Sequence, residues 1–161
     1  MSVEKTQKVE EVEKIVFSEN SNLSDYIIGK EIGKGAYALV FMGTEVSTNN
    51  KVALKIYEKE KMKEISRQKS IRREIKIMKR ANHPNICKLY DVIETETQVV
   101  LVMEHVSGGS THGYLKSKHN RRLEETAARK IFAQLISALE YLHSKCIAHR
   151  DIKLENVMLD N

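Results

Sequence analysis

The sequence predicts an α+β fold: a three-strand antiparallel meander, a packed helix, two further strands and a long final helix. Three observations carry this prediction. Short β-branched runs separated by turn residues fill two blocks, residues 26–57 and 86–104. Between the blocks, a charged stretch repeats Ile71, Ile75 and Met78 at helical spacing. Residues 123–143 then carry a longer apolar helical period.

Residues 1–24 are polar and acid-rich, with Val9, Val12, Ile15 and Val16 hinting at a short helix; they read as a tail. Residues 26–33, 36–46 and 51–57 read as strands, the last two joined by the turn Ser47-Thr48-Asn49-Asn50, so a three-strand meander follows. In the next helix Ile71, Ile75 and Met78 define one buried stripe, and Glu74 sits on that stripe. After the single proline, Pro84, residues 86–93 and 97–104 read as two more strands. Ser107-Gly108-Gly109 is a short connector. In the final helix Ala127, Ala128, Ile131, Phe132, Leu135, Ile136, Leu139 and Leu142 spread over more than one stripe, which calls for partners on more than one side.

With 161 residues, 41% of them hydrophobic and 30% charged, the chain has an ordinary globular composition and enough length for one core. No apolar run of about 18 residues is present, and the start Met1-Ser2-Val3-Glu4-Lys5 lacks the apolar centre of a secretory signal. The expectation is a cytoplasmic protein off the membrane, with the nucleus left open. Cys87 and Cys146 are expected to stay thiols. His143, Cys146 and His149 are evenly spaced, but a structural zinc site wants four ligands and no second pair lies near, so no metal is assigned to them. The net charge is +5, with a basic run between Lys51 and Arg80. That run could follow a nucleic-acid backbone; without interleaved aromatics it reads better as the solvated face of helices, and no nucleic-acid partner is expected.

The chemistry starts at Ile32-Gly33-Lys34-Gly35-Ala36-Tyr37-Ala38-Leu39-Val40. A glycine-bearing turn lets backbone amides approach a polyphosphate, and here it joins two strands, unlike a dinucleotide site whose glycines open a helix. A plain glycine hairpin remains an equal alternative for this segment alone. Lys55 interrupts the apolar strand Val52-Ala53-Leu54, and Glu74 interrupts an apolar helix stripe. Each charge asks for an opposite partner, and a Lys55–Glu74 pair answers both demands while aiming the ammonium at phosphate oxygens. Near the end, His149-Arg150-Asp151-Ile152-Lys153-Leu154-Glu155-Asn156 places a carboxylate, a cation and an amide at offsets suited to phosphoryl transfer.

Glycine loop, Val-Ala-Leu-Lys, helix glutamate and His-Arg-Asp with Asn156 five residues beyond Asp151 occur in an order that resembles the eukaryotic protein kinase domain over roughly residues 26–161. Lys153 resembles the serine/threonine type. The stretches around Lys55, Glu74, His83 and Met103 are most similar to the calmodulin-dependent and AMP-activated kinase group. The resemblance implies an α+β, protein-kinase-like fold: a small lobe over 25–103 built on a five-stranded antiparallel sheet with one packed helix, a hinge over 104–109 and the first helices of an incomplete large lobe over 110–161.

It further implies ATP and magnesium as ligands and a protein substrate presenting Ser or Thr. Residues 32–40 would cover the nucleotide and Ala53 would line the adenine pocket. Lys55 would hold the phosphates with Glu74 behind it, Met103 would be the gatekeeper, and Glu104 to Val106 would meet adenine through the backbone. Asp151 would take the substrate hydroxyl proton, Lys153 would neutralise γ-phosphate charge, and Asn156 would ligate magnesium. His149 and Arg150 would be scaffold.

Three departures qualify the resemblance. Ala38 replaces the third glycine, Ser110 stands where this group commonly has an acid, and Thr111 stands where an apolar residue usually starts the next helix. The sequence also stops at Asn161, before any Asp-Phe-Gly. A polypeptide of these residues alone is therefore expected to be inactive, and to need a partner or self-association over helix 123–143. The reading of a different class is a non-catalytic nucleotide-binding or partner-binding module.

Overall fold

The computed structural model describes residues 21–160; the tail expected over 1–24 lies almost wholly outside them. The elements run β1 (Tyr26–Lys34), β2 (Ala38–Glu45), β3 (Lys51–Glu58), α1 (Ile65–Arg80), β4 (Leu89–Glu94), β5 (Gln98–Glu104), α2 (Thr111–Ser117) and α3 (Glu125–Ser144), with a 3-10 turn at Leu23–Asp25 and another at Lys59–Met62. All five strands form one antiparallel sheet in the order β1-β2-β3-β5-β4.

Strand alternation divides β3 between two cores. Tyr57 faces α1 with Ile71, Ile75, Val92, Val99 and Leu101. Val52, Leu54 and Ile56 face the other way, with Ile93, Val100 and Val102. Lys55 pairs with Leu101 and Ala53 with Met103, so the register sets these residues on the α1 side.

One expectation from the sequence needs correction. The fourth strand begins at Leu89, and not at residue 86, because residues 83–86 close a turn: the Ile86 amide donates to the His83 carbonyl at 3.1 Å and the Asn85 amide to His83 Nδ1 at 3.1 Å. The segment after the Gly-Gly connector forms helix α2, capped by Ser110, whose hydroxyl accepts from the Gly113 amide at 3.1 Å. The basic run is distributed over β3, the following turn and α1, where Lys59 pairs with Glu94, Lys61 with Glu58 and Arg67 with Glu64.

α3 ends in a Schellman arrangement, with Cys146 at φ +58°, its amide donating to the His143 carbonyl and the Ile147 amide to Leu142, both at 2.9 Å. Its Tyr141 hydroxyl donates to the Arg80 carbonyl at 3.3 Å and accepts from the Asn82 amide at 3.0 Å, so α3 grips the end of α1. No helix among the described residues is long and apolar enough to cross a membrane.

Candidate active site

β1 and β2 meet in a tight turn in which the Gly35 amide donates to the Ala38 carbonyl at 2.8 Å. Ile32, Gly33 and Lys34 close β1, Gly35, Ala36 and Tyr37 form the turn, and Ala38, Leu39 and Val40 open β2. The protein itself does not demand glycine at 33 or 35. Neither has positive φ, and a Cβ added at either would meet nothing closer than 3.5 Å. The residue choice is left to be explained by something that approaches the backbone from outside. Gly35→Ala is therefore expected to leave thermal unfolding unchanged or raise the midpoint slightly, since it restricts the unfolded chain, while weakening ATP binding several-fold. A calorimetric scan and a titration of the same sample check both halves. The loop tip leans on α1, with the Arg67 guanidinium 4.6 Å from the Tyr37 ring centroid.

Lys55 Nζ donates to Glu74 Oε1 at 2.6 Å, joining β3 to α1 as the two charges require. The side chains are 26% and 34% exposed, so the pair is half-buried and open to a ligand on one side. The second carboxylate oxygen is also engaged: the Tyr57 hydroxyl donates to Glu74 Oε2 at 2.8 Å. A 460 Å³ cavity runs beneath the glycine turn and is lined by Gly35, Ala36, Tyr37, Lys55, Tyr57 and Glu74. Met103 and Glu104 end β5, and Val106 lies in the connector beyond it.

The loop after α3 folds around Asp151. Lys153 Nζ lies 3.0 Å from Asp151 Oδ2, and Asn156 Nδ2 donates to both Oδ2 and the main-chain oxygen of Asp151 at 2.9 Å. The hydrogen bond from Lys153 leads, with that from Asn156 next, in holding the exposed Asp151 carboxyl below its ordinary value. Asp151 is thus an ionised acceptor at neutral pH. With its amide nitrogen committed, Asn156 has Oδ1 left for a cation. Arg150 sits at φ +67°, a left-handed conformation next to the carboxylate it presents.

The loop is fixed from behind by residues 108–112. The Gly108 amide donates to Leu159 O at 2.9 Å, the Leu159 amide to Gly109 O at 2.8 Å, and the His112 amide to Leu154 O at 3.1 Å. Thr111, buried where an apolar residue is usual, donates through both its amide and its hydroxyl to Val157 O at 2.8 Å. An open cleft of about 1680 Å³ brings Glu74, Glu104 and Val106 together with Asp151, Lys153 and Asn156. His143, Cys146 and His149 do not come together: among the described residues no group of three or more His, Cys, Asp or Glu side chains is placed to hold a metal.

The family described as "Protein kinase domain" matches residues 26–161. The chain belongs to the protein kinase family. Its similarity extends to three serine/threonine or related kinases of plants. It is 43% identical over 141 residues to the SNF1-related protein kinase catalytic subunit alpha KIN12 of Arabidopsis thaliana, covering 88% of this chain and 28% of that protein. The CBL-interacting serine/threonine-protein kinase 26 of Arabidopsis thaliana is 44% identical over 135 residues, 84% of this chain and 30% of its own. The CBL-interacting protein kinase 2 of Oryza sativa subsp. japonica is 43% identical over 142 residues, 88% and 31%. The chain thus spans under a third of the length of the curated relatives it matches. These names fit the kinase group that the motifs resemble.

Sequence reasoning missed Tyr57 in this kinase domain, and marked Thr111 only as a departure without its bonds to Val157. Tyr57 reads as core in an apolar strand, and only its offset of two from Lys55 hinted that it shares that lysine's face.

Proposed function

We propose that this kinase domain belongs to an ATP-dependent enzyme that phosphorylates Ser or Thr of a protein substrate. One observation supports it above the rest: Lys153 and Asn156 converge on the ionised carboxylate of Asp151 in the cleft that Glu74 also lines. ATP is held beneath the glycine turn, with adenine against Ala53, Met103 and the main chain of residues 104–106 and the phosphates on Lys55. The Val106 amide has no protein acceptor among the described residues and is open to adenine.

In the transfer, a bond forms between the substrate hydroxyl oxygen and the γ-phosphorus while the bond from γ-phosphorus to the β-bridging oxygen breaks; Asp151 takes the hydroxyl proton. Lys153 offsets charge on the γ-phosphate. Asn156 Oδ1 would hold magnesium, whose charge would further neutralise the phosphates. The small lobe is assigned to 25–103, the hinge to 104–109 and the start of the large lobe to 110–161. We propose a cytoplasmic location, with the nucleus left open.

In the longest product that carries these residues, Asp151→Asn is expected to lower phosphate transfer to a mixed Ser/Thr peptide pool at least about a hundredfold, the general-base contribution, with ATP affinity unchanged. Full transfer by Asp151→Asn would sink the catalytic assignment.

A partner-binding role is favoured by one further feature. Phe132 and Ile136, a turn apart on α3, are 62% and 46% exposed, whereas Ala138 and Leu142 are buried. Covering two such side chains is worth roughly 2–4 kcal/mol. A polypeptide of these 161 residues is therefore expected to self-associate or to need a protein over this face, and the double change Phe132→Ser/Ile136→Ser to shift it toward monomer. Light scattering after size exclusion reads the outcome; an unaltered monomer in both cases removes this second reading.

A further inference from the structure

The Lys55–Glu74 pair is too weak by itself to fix α1 against the sheet. Both side chains are long, both are about a third exposed, and pairs of that kind contribute little once side-chain entropy and solvent screening are counted. Tyr57 alters the situation. It follows Lys55 by two residues on β3 and so shares its face. It is only 4% exposed, its hydroxyl reaches Glu74 Oε2 at 2.8 Å, and its ring centroid lies 5.2 Å from Lys55 Nζ. A buried aromatic ring has two torsions and tight packing, so its hydroxyl is a fixed point where the lysine ammonium is a mobile one.

Resting on the nucleotide-site reading above, we propose that Tyr57 is a positioning residue: by holding Glu74 Oε2 it turns Oε1 toward Lys55 and fixes α1 in the phosphate-ready register before nucleotide arrives. The register of the helix is then built into β3 and α1 themselves. The hydroxyl is suited to the task because burial, and next the charge of Glu74, raise its pKa, so it remains a donor across the physiological range. The ring over the ammonium limits where Lys55 can go, and the remaining free side of Nζ faces the cavity beneath Gly35 and Ala36.

The test is a cycle of wild type, Tyr57→Phe, Glu74→Gln and the double variant, each titrated with ATP and with adenosine and melted in parallel. Tyr57→Phe keeps the ring and removes only the hydroxyl. It is expected to weaken ATP about fivefold, to leave adenosine affinity and the melting midpoint nearly unchanged, and to have no further effect in the Glu74→Gln background. Hydrogen exchange in α1 around Glu74 should quicken in the single variant. Unchanged ATP affinity, equal losses for ATP and adenosine, full additivity with Glu74→Gln, or failure of Tyr57→Phe to yield folded protein would each overturn the proposal. A wild type that binds ATP no better than adenosine would sink the nucleotide-site reading itself and this proposal with it; a wild-type preference left undiminished in Tyr57→Phe sinks the proposal alone.

Discussion

Lys55→Met abolishes the phosphate contribution to ATP binding while leaving the domain folded: that is the expected result, and the geometry gives both halves. The ammonium lies on the α1 face of β3, with one side on Glu74 and the other open to the cavity under the glycine turn. A charge-assisted hydrogen bond to a phosphate oxygen is worth about 1.5–3 kcal/mol, so ATP affinity should fall by roughly ten- to a hundredfold, to the level of adenosine. Stability should change by no more than about 1 kcal/mol, because the pair is partly exposed and Glu74 keeps the Tyr57 hydroxyl after Lys55 is gone. Titration with ATP and a thermal melt of the same variant check these together. Loss of the fold would make the pair structural and overturn its assignment to phosphate.

Gly108→Ala carries the second large effect, through the backbone. A Cβ at residue 108 would stand 2.4 Å from Leu159 O and 3.0 Å from Leu159 C, and neither atom belongs to a side chain that can swing away. The two segments must separate, which endangers the reciprocal hydrogen bonds of residues 108 and 109 with Leu159 and, next along, those of Thr111 with Val157. Overpacking of this kind costs about 1–3 kcal/mol, and each lost hydrogen bond about 1 kcal/mol more. The melting midpoint is expected to fall by roughly 5–15 °C. Because the same segment holds the loop that presents Asp151, any transfer activity should fall further than stability alone explains. An unchanged midpoint would show that residues 108–112 do not brace that loop.

How much of this was legible in the sequence depends on whether the signal was local. Lys55 and Glu74 announced themselves because each places a charge on an otherwise apolar face, a pattern that strand and helix periods expose directly. Asp151, Lys153 and Asn156 were legible as offsets. The conformation that joins them was not, since left-handed backbone at Cys146 and Arg150 involves residue types that do not advertise it. Ile86 looked like strand because it is apolar and β-branched, yet its amide is spent on the turn at His83. The seven-residue α2 has too few apolar positions for a period to show, and it exists through its Ser110 cap and the Thr111 bonds to Val157. Tyr57 was hidden for a further reason: the partner of its hydroxyl is set by how α1 lies against the sheet, a tertiary relation that no short window contains.

The claim at the centre, that Lys55 held by Glu74 makes a phosphate site under the glycine turn, is tested most directly by titrating wild-type protein with ATP and with adenosine in the absence of added metal. The structure predicts ATP binding roughly ten- to a hundredfold tighter than adenosine, the phosphate contribution assigned to Lys55. Equal affinities for the two ligands would contradict it.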